Sequence, residues 1–564
     1  MKSDALMWFT ILNFFSLVIL LSIPLKAIAQ LPPPVPETFP QRLPTEPPSS
    51  PPKPNLQTPS PSQASECISP ATDDDRFLVK KVEILSSTVL QEEIAALIKP
   101  FENTQVTFEE LLCLRSKITE LYVDNGYINS GAFLPSNQDL NSGIVQIQVV
   151  EGKLEKIEVN GLNRLQEGYV RSRLERGTDR PLNQQRLEET LQLLQLDPLL
   201  EQVNAELTAG STPGQSILIV NLKEAPAFHG SIAIDNYRAP SIGSIQGSLL
   251  VSHDNLLGFG DRLSAEYGLT DDEGLSILDI RYSIPVNALD GTIDLRFENS
   301  DSNIVEEEFD EFDISSETQT ISFGFRQPIV KTPDNELALG IALDLRRSQT
   351  FLLDRPFSFS IGAEQGESNV TAIRFFQEWV DRSPTNVIAA RSQFSIGIDA
   401  FGATINDSGT DGSFFSWQGQ FQWVQQLSPR ILLLTRFDAQ LTPDSLLSPE
   451  RFSLGGVDTV RGYVQNQLVA DNGILGSIEL RIPLTADPNL LQLTPFVDVG
   501  TGWNERAPDP DPSTLVGIGL GLRLLLDNSL SLRLDYGIPL ISIDNKGDSL
   551  QDDGFYFSLR YQPF

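Results

Sequence analysis

The chain has 564 residues, enough for several domains of ordinary size. Its 41 lysine and arginine residues are outnumbered by 75 aspartate and glutamate residues, and the net charge of −34 would repel nucleic acid and anionic membrane surfaces. Because the whole chain has two histidines and two cysteines, we expect no metal site of cysteine and histidine ligands, and we predict no cofactor.

Residues 1–29 are predicted to be an export signal. Lys2 precedes a largely apolar run from residue 5 to residue 25, and Ala27 and Ala29 supply the small-x-small pattern that is cleaved in secreted proteins. A retained membrane anchor is the alternative, because the apolar run is long enough to span a bilayer.

Residues 30–76 are predicted to be an extended linker. The segment from residue 31 to residue 70 contains 14 prolines and shows no apolar periodicity. Such a composition gives a semi-rigid chain that does not bury a core.

Two successive modules, residues 77–152 and 153–226, are predicted to share the element order β-α-α-β-β. In the first module, Thr107 and Glu110 form a capping-box pattern at the start of the second helix. The apolar residues of that helix recur at helical spacing: Phe108, Leu111, Leu112, Ile118, Leu121 and Tyr122.

Residues 227–564 show the period-two alternation of β-strands. In residues 293–298, for example, apolar and charged side chains alternate without interruption. The strands are long enough to cross a bilayer, and the chain ends on the aromatic residue Phe564, which is typical of outer-membrane barrels. The sequence therefore predicts α+β modules followed by an all-β transmembrane barrel of about 16 antiparallel strands.

A barrel of this size encloses an aqueous lumen. The strands must close on themselves because no water satisfies a free sheet edge inside the bilayer. The lumen is wide enough to need either a cargo or a plug.

Three motifs occur in a fixed order along this chain. They are "SHDNLLGFGDRLSAEY" at 252–267, "VRGY" at 460–463 and "PFVDVG" at 495–500, and the first module contains "DNGYINSGAFLP" and "VVEG". The modules resemble POTRA domains, the periplasmic polypeptide-binding domains that precede outer-membrane barrels. The mature chain as a whole resembles the two-partner secretion transporters of the haemolysin/haemagglutinin type, whose superfamily also contains outer-membrane protein insertases.

The resemblance implies a functional loop inside the barrel. In this family the loop with Val460, Arg461, Gly462 and Tyr463 folds back into the lumen. Its arginine pairs with the aspartate of the barrel-wall motif, so Arg461 would meet Asp498. The other wall residues of that motif are Phe496 and Gly500, and Gly500 would leave room on the inward face.

One family feature is in doubt here. Family members often begin with a helix that plugs the barrel, whereas residues 31–76 contain no good amphipathic helix. We therefore expect the lumen to be occupied mainly by the loop from Pro443 to Ala470, or by part of the linker.

The resemblance implies a transporter that captures an unfolded exoprotein in the periplasm and exports it through the barrel. The implied partners are a large secreted β-helical exoprotein and outer-membrane lipid, and the location also allows periplasmic chaperones. An assembly factor for other barrels is the first alternative, and a porin or receptor is the second.

No feature of the sequence indicates an enzyme. His229 and His253 lie near strand ends without a serine or carboxylate at a diagnostic spacing, and no nucleotide-binding or nucleophile motif appears in a suitable context. The acidic run at 305–313 is interpreted as a solvated loop, with calcium binding as the alternative.

We hypothesise a disulfide between Cys67 and Cys113, because the periplasm is oxidising and these are the two cysteines of the chain. Closing a loop of this length is expected to stabilise the first module by about 4 kcal/mol. Thiol labelling of the unfolded, unreduced protein measures this directly. Two reactive thiols per chain would rule the bridge out.

Overall fold

A computed structural model describes residues 55–58 and 76–563, apart from residues 137, 140, 141, 308, 528, 544 and 545. The predicted export signal, most of the predicted linker, Cys67 and Phe564 lie outside the described residues. Within these residues, no helix is both long enough and apolar enough to cross a membrane.

The described residues before the barrel form two small α+β modules, with one short strand ahead of them in the sequence. The first module contains two short sheets, one of which has the strand order β3-β6-β5, and the second contains one sheet with the order β1-β8-β9-β7. The elements are β1 (Asn55–Gln57), β2 (Phe77–Val79), β3 (Lys81–Leu85), α1 (Gln91–Ile98), β4 (Thr104–Val106), α2 (Phe108–Asp124), β5 (Gly131–Phe133), β6 (Ile144–Val150), β7 (Lys153–Asn160), α3 (Glu167–Glu175), α4 (Gln184–Gln195), β8 (Leu200–Ala209) and β9 (Gln215–Glu224).

Helix α2 begins at the predicted capping box. The Glu110 amide donates to Thr107 Oγ1 at 3.2 Å, and the Thr107 amide donates to the Glu110 carboxylate at 2.8 Å. The face of the helix that enters the core consists of Leu111, Leu114, Ile118 and Tyr122. Phe108 and Leu112 are 49% and 37% exposed, because these two apolar residues lie on an adjacent face of the helix.

Glu151 ties the start of α1 to α2 in the first module. Its buried carboxylate accepts hydrogen bonds from the Thr88 amide at 2.5 Å, the Thr88 hydroxyl at 2.6 Å, the Val89 amide at 3.3 Å and the Tyr122 hydroxyl at 3.2 Å. Burial alone would raise the pKa of Glu151. The hydrogen bonds outweigh burial and hold the pKa below its usual range.

Replacing Glu151 by glutamine is expected to destabilise the first module by about 1–3 kcal/mol, because an amide cannot accept from all these donors. Hydrogen exchange over residues 87–124 of the full-length protein would be faster in the variant at pH 7. The folded pKa is lowered, so the wild-type advantage is present above the unfolded pKa and is lost as pH falls through the folded pKa. Exposed Glu120→Gln is the control, and equal exchange in both variants would contradict the prediction.

Strand β1 joins the second module to the predicted linker. It pairs in parallel with β8, with Asn55 opposite Asn204 and Gln57 opposite Glu206. Leu56 is partly buried against the core of that module. The linker prediction did not include this strand, whose three residues lie among prolines and carry no periodic signal.

The remainder of the chain forms a closed antiparallel barrel. Sixteen long strands of the described residues follow one another around it, and β30 pairs with β10 to close the sheet. These are β10 (Phe228–Asp235), β11 (Gln246–Asp254), β12 (Arg262–Thr270), β13 (Leu275–Pro285), β14 (Thr292–Asn303), β15 (Ile314–Lys331), β16 (Asn335–Leu352), β18 (Val370–Arg382), β19 (Asn386–Gly397), β21 (Phe415–Ser428), β22 (Ile431–Leu441), β26 (Asn472–Pro483), β27 (Leu491–Trp503), β28 (Thr514–Leu526), β29 (Leu530–Pro539) and β30 (Phe555–Tyr561).

Five short strands lie in the part of the barrel loops that the structure describes. They are β17 (Arg355–Pro356), β20 (Thr410–Asp411), β23 (Ser445–Leu446), β24 (Phe452–Leu454) and β25 (Leu468–Ala470). The predicted fold class is confirmed, because α+β modules precede a barrel of sixteen long strands.

The two faces of the barrel differ as the alternation predicts. Ile478 is 52% exposed on the outer face of β26, whereas its neighbour Glu479 is 6% exposed and faces inward. An apolar exterior suits a lipid environment, and the charged interior suits a wet lumen.

The contacts between the second module and the barrel include an ion-pair cluster. The guanidinium of Arg173 lies 3.4 Å from the Tyr169 ring centroid and forms an ion pair with Asp290 in the turn between β13 and β14. Lys331 at the end of β15 pairs with the same carboxylate. The cluster places the second module at the end of the barrel where these turns lie.

Candidate functional site

The loop from Pro443 to Ala470 folds into the lumen between β22 and β26. Its strands β24 and β25 pair antiparallel, so the loop contains a hairpin. An apolar cluster within the loop and against the wall gives the hairpin a core: Phe452, Leu454, Val460, Tyr463, Leu468, Ala470, Leu475 and Leu515. We call residues 443–470 the lumen loop.

Arg461 is the charged centre of the lumen loop and is 3% exposed. Its guanidinium donates two hydrogen bonds to the Asp498 carboxylate, from Nε to Oδ2 at 2.7 Å and from Nη2 to Oδ1 at 3.0 Å. The Arg461 amide also donates to Asp498 Oδ2 at 3.2 Å, and Ser477 donates to Oδ1 at 2.6 Å. A planar fork facing a carboxylate defines both distance and orientation.

Two further carboxylates face the same guanidinium. Arg461 Nη1 lies 2.8 Å from Glu479 Oε2 and 3.5 Å from Asp535 Oδ1. Arg481 pairs with Glu479, and Arg533 pairs with Asp535. Around Arg461 the barrel wall therefore contributes three carboxylates and two guanidinium groups. Their charges sum to zero only when the positive charge of Arg461 is added. The five wall residues are Asp498, Glu479, Asp535, Arg481 and Arg533.

The Arg461 side chain also stacks on the wall. Its guanidinium carbon lies 3.4 Å from the centroid of the Phe496 ring, an arrangement that favours a cation. A Cβ at Gly500 would lie 2.8 Å from Leu454 and 3.0 Å from Val460, so a glycine there leaves space for the loop.

The rest of the motif anchors the loop through its backbone. Gly462 has a φ of 103°, in the left-handed region that favours glycine. Its amide donates to the Tyr556 hydroxyl at 2.8 Å, and that hydroxyl donates to the Tyr463 carbonyl at 2.6 Å. The Tyr463 hydroxyl lies within 3.0 Å of the Val516 carbonyl oxygen and 3.1 Å of that of Ile541.

Sequence reasoning missed Glu479, Asp535 and Tyr556. The alternation in β26 and β29 placed the two carboxylates on the inward face. It could not show that they lie beside Arg461, because that depends on the register of four neighbouring strands. No signal in the sequence marks Tyr556 apart from the other aromatic residues near the end of the chain.

The remaining lumen encloses a cavity of about 1230 Å³. Arg461, Glu479 and Arg533 are among its lining residues. In the part of the chain that the structure describes, no three His, Cys, Asp or Glu side chains are grouped to hold a metal ion.

Other residues that the sequence singled out, where the structure describes them, lie away from this site. His229 Nε2 lies 3.3 Å from Asp254 Oδ2, near the end of the barrel that faces the modules. Cys113 lies in α2, and Cys67 lies outside the described residues, so their pairing stays a prediction.

Two family profiles match the chain. The profile of the haemolysin secretion/activation proteins ShlB/FhaC/HecB matches residues 214–524, and that of the ShlB-type POTRA domain matches residues 77–152.

Individual proteins show the same similarity. The outer membrane transporter CdiB of Escherichia coli is 26% identical over 456 residues, which cover 79% of this chain and 75% of CdiB. The heme/hemopexin transporter protein HuxB of Haemophilus influenzae is 23% identical, over 76% of each chain. The structure of CdiB from Escherichia coli superposes with a TM-score of 0.67 at 24% identity, over 88% of this chain and 93% of that one, which supports the fold.

Proposed function

The chain belongs to the haemolysin secretion/activation protein family of the ShlB/FhaC/HecB type, and on that premise we propose how it exports a secreted protein through its barrel. It is an outer-membrane transporter with POTRA modules in the periplasm. The observation that carries the mechanism is the lumen loop, which occupies the channel and is held by a buried ion pair.

We propose that the lumen loop is the gate. In the resting state Arg461 holds it against Asp498, Glu479 and Asp535. Passage of a polypeptide requires this loop to shift. Water in the lumen would then solvate Arg461 and the wall carboxylates as they separate. We propose that export needs no nucleotide, that folding of the product outside supplies the free energy, and that the transporter has no catalytic step.

We propose that the first module captures the exoprotein in the periplasm. Strand β5 lies at the edge of its sheet and has β6 as its neighbour among the described strands. Phe133 on this strand is 46% exposed, and an extended segment could add beside it by β-augmentation. Outer-membrane lipid surrounds the barrel, and periplasmic chaperones would deliver the unfolded chain.

The proposed division of the chain follows these roles. Residues 1–29 are the export signal, residues 30–76 are the linker, residues 77–152 and 153–226 are the POTRA-like modules, and residues 227–564 are the barrel. Because β1 pairs with β8, part of the linker is docked on the second module.

The test is to delete the gene and compare secreted proteins with the content of outer-membrane barrels. Loss of one large secreted protein with unchanged barrel content supports export. A general loss of barrels would instead indicate an assembly factor, and no change in either would indicate a porin or receptor. A photo-crosslinker at Phe133 should capture the exported chain, and a crosslinker at equally exposed Leu196 is the control.

A further inference from the structure

Glu450 is a second buried charge of the lumen loop, and the family motif does not include it. It ends the short helical turn Ser448–Glu450, ahead of the β24–β25 hairpin, and is 7% exposed. A carboxylate this buried is costly unless it is paired.

The partners of Glu450 come from a different part of the wall. Arg374 Nη2 on β18 donates to Glu450 Oε1 at 2.8 Å. Arg346 on β16 donates from Nη1 to the Pro449 carbonyl at 2.6 Å, and the same nitrogen lies 4.0 Å from Glu450 Oε1. Arg374 also pairs with Asp344 of β16.

The charges of this contact mirror those around Arg461. Here Arg346 and Arg374 face Asp344 and Glu450, so the wall is left with an excess positive charge when the loop departs. Around Arg461 the wall is left with an excess negative charge. The two contacts lie apart, because β19, β21 and β22 separate β18 from β26 in the barrel.

Apolar and backbone contacts support the loop at the same place. Leu446 and Leu447 pack in one cluster with Val370 and Ala372 of β18. Strand β23 of the lumen loop pairs with β20, which belongs to the preceding large loop. The first half of the lumen loop therefore has its own attachment to the barrel.

We propose that Glu450 is a positioning residue of the gate. It fixes the first half of the lumen loop to the wall arginines Arg374 and Arg346. Arg461 fixes the second half of the loop to wall carboxylates. The loop rests between two wall patches of opposite residual charge, and full opening requires both contacts to break. The biological meaning of this second contact rests on the proposed export function.

Purified protein in planar lipid bilayers tests the proposal, since channel conductance needs no exoprotein. Glu450→Gln keeps the shape and removes the charge, and we expect the open probability of the resting channel to rise about tenfold. Glu450→Asp keeps the charge and is expected to change the open probability less. Glu336→Gln is the matched control, because Glu336 pairs with Arg326 on the wall and Arg326 retains Glu378.

Heat-modifiable gel mobility first verifies that each variant forms a folded barrel. Wild-type open probability in Glu450→Gln, or equal effects of glutamine and aspartate, would overturn the proposal. In the Arg461→Ala background, Glu450→Gln should raise the open probability again, and no second increase would overturn the claim of two separate contacts. None of these outcomes bears on the export function itself, which is tested separately by the loss of the secreted protein on gene deletion.

Discussion

Alanine at position 461 or at position 498 is expected to impair export severely while the barrel stays inserted. Either change breaks a buried, two-atom ion pair and leaves the partner charge uncompensated, which costs about 3–5 kcal/mol. That loss should release the lumen loop from its resting position. Secretion assays and single-channel conductance measure the effect, at barrel levels verified by heat-modifiable mobility.

Charge reversal provides the internal check of direct pairing. Arg461→Asp combined with Asp498→Arg should restore part of the export that each single reversal loses. Rescue is expected to be partial, because Glu479 would repel an aspartate at position 461. Normal export and conductance in both single alanine variants would falsify the pairing as the basis of loop position.

Gly517→Ala is expected to displace the lumen loop although it alters no charge. Gly517 lies opposite Asp498 in the barrel sheet. A Cβ at this position would lie 1.9 Å from the Arg461 carbonyl oxygen, so the loop backbone must move. Overpacking of this kind costs about 1–3 kcal/mol, and we expect altered conductance and reduced export as in Arg461→Ala.

The control for this prediction is Gly476→Ala on β26. A Cβ there would find Val499 at 3.7 Å, an ordinary contact, and should leave conductance unchanged. If Gly517→Ala behaved like Gly476→Ala, the close approach of loop and wall would not determine the loop position.

The sequence predicted the barrel well because its signal is repeated in every strand. Alternation alone places Ile478 and Glu479 on opposite faces of β26 and gives the number of long strands. The length of the strands, the export signal and the terminal aromatic residue then indicate that the apolar face is the outer one. Helix α2 was harder, because Phe108 and Leu112 are apolar yet exposed, and a helix with apolar residues on more than one face does not show which face is buried.

At the lumen loop, the sequence predicted one ion pair, whereas the structure shows further wall residues in contact with the loop. The family resemblance suggested Arg461 beside Asp498, since both belong to recognisable motifs. Glu479, Asp535 and Gly517 belong to no motif, and their positions near Arg461 depend on strand register. Glu450 was missed for the same reason, because its arginine partners lie about 75 to 105 residues away in sequence on two other strands.

Strand β1 also bears on the solubility of shortened forms of the protein. An unpaired strand edge is a template for self-association, and β8 would present such an edge without Asn55–Gln57. A chain that begins at Phe77, the first residue of the first module, would retain strands β2 to β9 and still expose that edge. Aggregation of such a truncated form would then result from the absence of β1, which leaves the edge of β8 unpaired, and would not indicate that the modules are misfolded.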